Sequence, residues 1–172
     1  KAAAVASGFM GTVSGSAGAN VVTTGSFTIP LMKRVGYRAK FAAAVEACAS
    51  SGGQITPPIM GAAAFIMAEF LAVPYTTIII AAIIPAFLYF ITIYFMVHLE
   101  AEKHGLAALP KAELPQTGEV LRRGWHLLFA LVVLISFLLY GYTPMRAAFF
   151  GLAALVALSF INPSTRMSPV DL

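Results

Sequence analysis

Residues 11–37 read GTVSGSAGANVVTTGSFTIPLMKRVGY. Within them Ser14 to Asn20, SGSAGAN, is loose backbone carrying small oxygen side chains, set in a chain that is otherwise very apolar. Gly11, Gly15, Gly18 and Gly25 interrupt the segment from Ala2 to Met32. Each glycine costs a helix about 1 kcal/mol against alanine, so one continuous helix is a poor fit. Two short helices meeting at SGSAGAN fit better, and the segment is expected to be a helical hairpin over residues 2–32.

A second interruption follows at Ser50 to Pro58, SSGGQITPP, inside a helical-looking stretch from about residue 39 to residue 73. Gly52-Gly53 and Pro57-Pro58 break helices, since proline donates no backbone hydrogen bond and disfavours the α conformation in the residue before it. Helical composition ends near Ser51 and resumes near Met60, which predicts two half-helices with an unwound middle.

The surroundings decide what such breaks mean. With 59% hydrophobic and 10% charged residues, the chain departs from soluble globular domains, of which about a quarter of residues are charged. Thr76 to Val97 is an uncharged run of the length a bilayer core requires. His126 to Tyr142 and Ala147 to Ile161 are two shorter apolar runs with aromatic residues at their borders, Trp125, Tyr140 and Tyr142. The expected fold class is therefore all-α: a polytopic integral membrane protein with a re-entrant helical hairpin, a discontinuous transmembrane helix and about three further transmembrane helices. The expected organisation is a transport-type unit over 1–97, with the broken helix at 39–73 and a span at 76–97. A cytoplasmic amphipathic linker over 98–123, two spans over 124–162 and a polar tail over 163–172 complete it. Unwound backbone at membrane depth must face protein or a watered cavity, because each unpaired group in hydrocarbon costs several kcal/mol.

Basic residues set the orientation. The loop Lys33 to Lys40 holds Lys33, Arg34, Arg38 and Lys40, and the linker holds Lys103, Lys111, Arg122 and Arg123. The turn at Pro74 holds none. If the broken helix crosses once, both basic loops fall on the cytoplasmic side. The net charge of +4 thus belongs to membrane topology and carries no implication of nucleic acid.

Two broken segments offer a site. Discontinuous helices near the membrane midplane form the substrate and ion sites of secondary transporters: half-helix N-termini favour anions and unwound carbonyls hold cations. Ser14, Ser16, Asn20, Thr23, Thr24 and Thr56 supply side-chain oxygens, and Gly15, Gly52, Gly53 and Pro57 supply accessible carbonyls. Neutral oxygens of this kind suit a hard cation such as sodium. The competing reading is that the small residues only pack helices. Glu46 and Glu69 are intramembrane carboxylates and hence functional candidates by default. Position argues instead for interfacial or ion-pair roles, Glu46 pairing with Lys40 or Arg38. His98, His104 and His126 lack ligand spacing, so no transition-metal site is expected. Cys48 stands alone and is expected to be a small packing residue. No nucleotide, metalloprotease or nucleophile motif is present, and the chain is not expected to be an enzyme.

The two motifs together, GTVSGSAGANVVTTGSFTIPLMKRVGY and SSGGQITPPIMGAAAFIMAE, resemble the large permease subunit of the TRAP (tripartite ATP-independent periplasmic) transporters. HLEAEKHGLAALP and the following ELP and GWHLL resemble the connection within the fused 4TM/12TM permeases. The resemblance implies a sodium-driven elevator transporter of the bacterial or archaeal inner membrane, built from two inverted repeats. It implies Na+ as coupling ion with no other cofactor, and a small organic anion of the carboxylate type as solute. A periplasmic substrate-binding protein and a small membrane subunit, separate or fused, would be its partners. It carries Ser14, Gly15, Ser16 and Asn20 to the hairpin tip and Gly53, Thr56 and Pro57 to the facing unwound helix. Ile59 stands where the family often has serine, which removes one side-chain ligand. The start at Lys1 and the missing second repeat predict a piece of a longer polypeptide that would not transport alone. The alternatives are another paired-hairpin symporter, of the arsenite, citrate or dicarboxylate kind, and a non-transporting membrane scaffold.

Overall fold

The computed structural model describes residues 2–106 and 117–159, and every described element is helical. The chain divides into two units, one ending at Pro110 and the other starting at Lys111.

In the first unit, α1 (Ala2–Ser14) stops at Gly15, whose φ of +62° lies in the left-handed region that only glycine enters without strain. Ser16 then caps α2 (Ala17–Val35), its hydroxyl accepting from the Ala19 N–H at 3.4 Å. The two helices form the expected hairpin. At the far end Gly36, φ +109°, closes α2: its N–H reaches the Lys33 carbonyl and the Tyr37 N–H reaches that of Met32. Lys33 and Arg34 sit in that last turn, where cations meet the negative end of the helix dipole.

Helix α3 (Ala39–Gly53) and helix α4 (Ala62–Phe70) are the two halves of the broken segment. Between them the N–H groups of Gln54, Ile55 and Thr56 bond to carbonyls three residues back, Pro57-Pro58 is cis, and the Gly61 N–H closes onto the Gln54 carbonyl at 2.7 Å. Tyr75 donates its hydroxyl to the Ile59 carbonyl and stacks on Phe65 at 4.5 Å between centroids, tying the loop to the start of α5.

Helix α5 (Tyr75–Lys103) contains the expected span and is, among the described residues, the one helix long and apolar enough to cross a membrane. It runs past Val97 into the stretch expected to be linker. Two partly exposed i,i+4 pairs, His98–Glu102 and Glu100–His104, and Lys103 in its last turn support the extension. The core of this unit joins α1, α2, α3 and α5 through Ala3, Ala4, Met32, Tyr37, Ala42, Val45, Ala49, Ile93 and Val97. A smaller cluster of Met60, Ala64, Ile78 and Ile79 packs the loop and α4 on α5. Much of α5 elsewhere is exposed apolar surface, with Ile80, Ile84 and Phe87 each more than 60% exposed.

Alanine and glycine dominate the helix contacts because helices can approach closely only where side chains are small. Gly11 of α1 and Gly53 of α3 lie backbone to backbone. Gly8 and Gly52 face the rings of Phe90 and Tyr89 on α5. Cys48 does not share in this packing. It is exposed, because Val45, Glu46, Ala49, Ser50, Gly52 and Gly53 occupy the buried face of α3.

The second unit pairs α6 (Thr117–Leu139) with α7 (Pro144–Ser159). Thr117 lies inside the stretch expected to be linker. The turn between the helices has Gly141 at φ +81°, and Phe137 of α6 stacks on Phe150 of α7 at 4.6 Å. The described apolar parts, Leu128–Leu139 and Met145–Ser159, are shorter than the span of α5. The polar tail at 163–172 lies outside the described residues.

Candidate functional site: a hairpin tip on a helix break

The hairpin tip and the helix break, distant in sequence, meet in space. Gln54 donates its side-chain amide to the Gly15 carbonyl at 3.3 Å. A Cβ added at Gly15 would stand 2.7 Å from the Met60 carbonyl, and one at Gly61 would stand 3.1 Å from the Gly15 carbonyl. Only glycines permit this seating. Ser14 and Ser16 are exposed at the tip, the Ser14 hydroxyl lying 3.5 Å from the Ser16 carbonyl.

The remaining residues divide. Thr56 donates to the Gly52 carbonyl at 2.7 Å, and that carbonyl also takes the Ile55 N–H. Gly53 is buried against Gly11, and Pro57 is half-buried in the loop. Thr23 lies on an exposed face and donates to the carbonyls of Ala19 and Asn20. The structure therefore brings Gly15 to the break, with Ser14 and Ser16 exposed on either side of it, and leaves Thr23 aside. The oxygens at the tip fit a hard cation by type, being neutral hydroxyls and carbonyls.

Asn20 is not at the tip. It is fully buried one turn deeper, and its Nδ2 donates to the Ser7 carbonyl at 2.9 Å, the Ser7 hydroxyl at 3.1 Å and the Ser50 hydroxyl at 2.9 Å. These contacts lead to Glu46, and here the ion-pair expectation fails. Glu46 is 1% exposed. Its Oε1 accepts from Ser7 at 2.7 Å, Thr24 at 2.5 Å and Ser50 at 3.2 Å, and its Oε2 accepts from Thr28 at 2.5 Å. Among the described residues no lysine, arginine or histidine pairs with it. The reason is helical phase: at about 100° per residue, Lys40 stands about 120° around α3 from Glu46. Arg38, at the N-cap, is about 12 Å away along the axis. Gly25 of α2 makes room for the buried carboxyl, its absent Cβ lying 3.2 Å from the Glu46 Cγ. Glu69 is exposed near the end of α4, consistent with an interfacial place.

A sequence signal for this inner cluster exists. Asn20, Thr24 and Thr28 recur every four residues and so share one face of α2, and Glu46 and Ser50 share one face of α3. Two facing polar stripes within apolar helices announce a buried polar contact.

Comparison with known proteins agrees with the paired motifs. Residues 1–170 match the family described as "Tripartite ATP-independent periplasmic transporter, DctM component". The C4-dicarboxylate TRAP transporter large permease protein DctM of Pseudomonas aeruginosa is 28% identical over 151 residues, covering 86% of this chain and 34% of that protein. The chain thus spans about a third of the length of this curated relative. No solved structure matches the chain. With the family matched along nearly its whole length, and both breaks folded as hairpin and split helix, the chain belongs to the DctM component family of the TRAP transporters.

Proposed function

We infer that this chain forms the first-repeat portion of a sodium-coupled permease of the inner membrane, importing a small organic anion of the carboxylate type. The observation that carries the reading is the seating of the Gly15 tip on the Gln54–Gly61 break. Two segments that each interrupt a helix have no need to meet if their only task is packing. Their meeting gathers hydroxyls, carbonyls and the start of α4, whose cap Gly61 contributes no side-chain acceptor. The carboxylate class rests on the dicarboxylate named for the Pseudomonas relative. Family membership supports a periplasmic binding protein that hands over the solute and a small membrane subunit as partners. The exposed apolar surface of α5 supports contact with lipid or with the rest of the permease.

In this reading Ser14, Gly15 and Ser16 hold Na+ against the carbonyls of Gly53 and Pro57, with Thr56 bracing the break through the Gly52 carbonyl. Bound sodium adds a positive charge among neutral oxygens whose lone pairs would otherwise repel an anion, so ion and solute bind together. The scaffold alternative accounts for Gly8, Gly11, Gly52 and Gly53, which do pack helices. It gives no role to Gly15 and Gly61, whose close approach is between two loops.

The test is uptake into proteoliposomes by the full-length permease, supplied with its binding protein and a C4-dicarboxylate. Ser16→Ala removes one oxygen and is expected to raise the sodium concentration for half-maximal uptake about tenfold, equivalent to about 1.4 kcal/mol. Ser14→Ala should act in the same direction. Unchanged sodium dependence in both variants would refute the tip as the ion site.

A further inference from the structure

The turn end of the α6–α7 pair has no part in the function proposed above. We propose that the groove lined there by Tyr142, Met145, Arg146, Phe149 and Phe150 binds a phospholipid of net negative headgroup, its phosphate on Arg146 and an acyl chain along the phenylalanines. The inference is independent of the sodium reading and needs only that the chain belongs to a membrane permease family.

The sequence isolates the charge. Between Leu127 and Thr165, Arg146 is the only lysine, arginine, histidine, aspartate or glutamate. Among the described residues no carboxylate pairs with it. Position 119, the acidic one in α6, lies about 30 Å along the axis from Leu139 at the turn. Helix stability does not explain the arginine either. It stands in the first turn of α7, at the positive end of the helix dipole, where carboxylates are favoured and a cation is not. A fixed positive charge in apolar surroundings needs an anion or water beside it.

The groove then says what kind of anion. Its volume is about 450 Å³, within the range of small-molecule sites. Phe137 stacks on Phe150 at 4.6 Å and lies 5.1 Å from the Tyr142 ring, and Phe149 meets Phe150 edge-on at 5.6 Å. Ring packing therefore holds the wall in shape. Met145 is 84% and Phe149 67% exposed, so the described residues leave the groove uncovered. Arg146, Phe149 and Phe150 are spaced i, i+3 and i+4 and share one face of α7. A cation thus sits at one end of an apolar wall that continues along the helix.

An occupant has to match both ends. A free anion would satisfy the guanidinium and leave the aromatic wall bare, whereas a plain hydrocarbon chain would leave the charge unpaired. A phospholipid does both, and Tyr140 and Tyr142 beside Arg146 are the residues expected at the headgroup level. The guanidinium fork suits two phosphate oxygens. A zwitterionic headgroup brings its own cation to that phosphate, so a lone arginine favours a headgroup without one.

The experiment is native mass spectrometry of the full-length permease in detergent, titrated with phosphatidylglycerol or with phosphatidylcholine of the same acyl chains. The basic residues of the loop Lys33 to Lys40 also attract anionic lipid, so the readout is the binding that Arg146→Gln removes. That variant should bind phosphatidylglycerol about fivefold more weakly and phosphatidylcholine unchanged. Phe149→Ala should weaken both lipids by a similar factor. Phosphatidylglycerol bound as tightly by Arg146→Gln as by wild type overturns the proposal. So does its displacement by an equal concentration of inorganic phosphate, which would make the groove a site for a free anion. An Arg146→Gln permease that keeps its lipid affinity but loses its periplasmic binding protein marks the groove as a protein-docking surface, and overturns it too. Should Arg146→Gln fail to fold, an unchanged phosphatidylglycerol affinity in Phe149→Ala is equally fatal.

Discussion

Gly53→Ala puts the helix-crossing geometry to its hardest test. A Cβ at residue 53 would fall inside contact distance of the Cα and carbonyl carbon of Gly11, and a Cβ at residue 11 would stand 2.9 Å from the Gly53 Cα. Both neighbours are backbone, so neither can rotate away, and relief requires α1 and α3 to separate. Overpacking a core by a methyl group costs about 1–3 kcal/mol, and a backbone neighbour places this case at the upper end, about 3 kcal/mol. Separation would also stretch the bonds from Ser7 to Glu46 and to Ser50, which span the same helices. The control is Gly18→Ala. Nothing lies within 4 Å of a Cβ at residue 18, and alanine improves helix propensity there by at most about 1 kcal/mol. Equilibrium unfolding of both variants in the same detergent, followed by far-UV circular dichroism, should separate them by 3 kcal/mol or more, roughly, in free energy. If the two differ by less than about 1 kcal/mol, the close crossing does not hold the hairpin to α3, and the account of these glycines is wrong.

Two other perturbations give independent readings. Gly15→Ala forces a side chain into the left-handed region at φ +62° and against the Met60 carbonyl at 2.7 Å. It should cost about 2 kcal/mol of stability by thermal unfolding, and if the tip holds sodium as proposed it should raise the sodium needed for uptake by the full-length permease more than Gly18→Ala does. Tyr37→Phe removes the hydroxyl that donates to the Val97 carbonyl at 3.1 Å, at a cost of about 1 kcal/mol. Burial first, and the Glu100 carboxylate second, push the Tyr37 phenol above its ordinary value. The folded protein thus holds this proton more tightly than the unfolded chain, so the contribution is complete below the unfolded value of about 10. It is lost as pH rises through the higher folded value. Urea or thermal unfolding between pH 9 and pH 11 should show a decline that Tyr37→Phe makes shallower.

The breaks were legible because glycine and proline act locally. Gly15 ends α1 and Pro57-Pro58 keeps α3 from joining α4 whatever surrounds them, so the hairpin and the split helix follow from composition. Their meeting was legible only as an expectation, since the contact of Gln54 with Gly15 depends on the crossing of α1 over α3. The misreading of Glu46 has the same root. Sequence proximity offered Lys40 and Arg38, but a helix presents neighbours at four residues, not six or eight. Its real partners lie on α1 and α2 and on Ser50, four residues on. The end of α5 was missed for the opposite reason. Hydropathy falls at His98, whereas helicity continues on polar i,i+4 pairs that a search for apolar runs ignores.

The two polar regions are held in ways that suit different tasks. Hydrocarbon offers no hydrophobic drive between helices, so association rests on close packing and interhelical hydrogen bonds. Around Glu46 both are present: the glycine crossing lies beside a cluster in which every hydroxyl bonds to a second helix or to its own. At the tip, the side-chain bond from Gln54 to Gly15 is the cross-link, and Ser14 and Ser16 stay exposed. Three helices are thus fixed near Glu46, whereas the tip adds one neutral side-chain bond, worth about 1 kcal/mol, to its backbone contacts with Met60 and Gly61. A ligand at the tip therefore has less to overcome in order to move it than one that would have to open the inner cluster. Binding that depends on Ser16 should protect only the tip and residues 54–61 from amide hydrogen exchange.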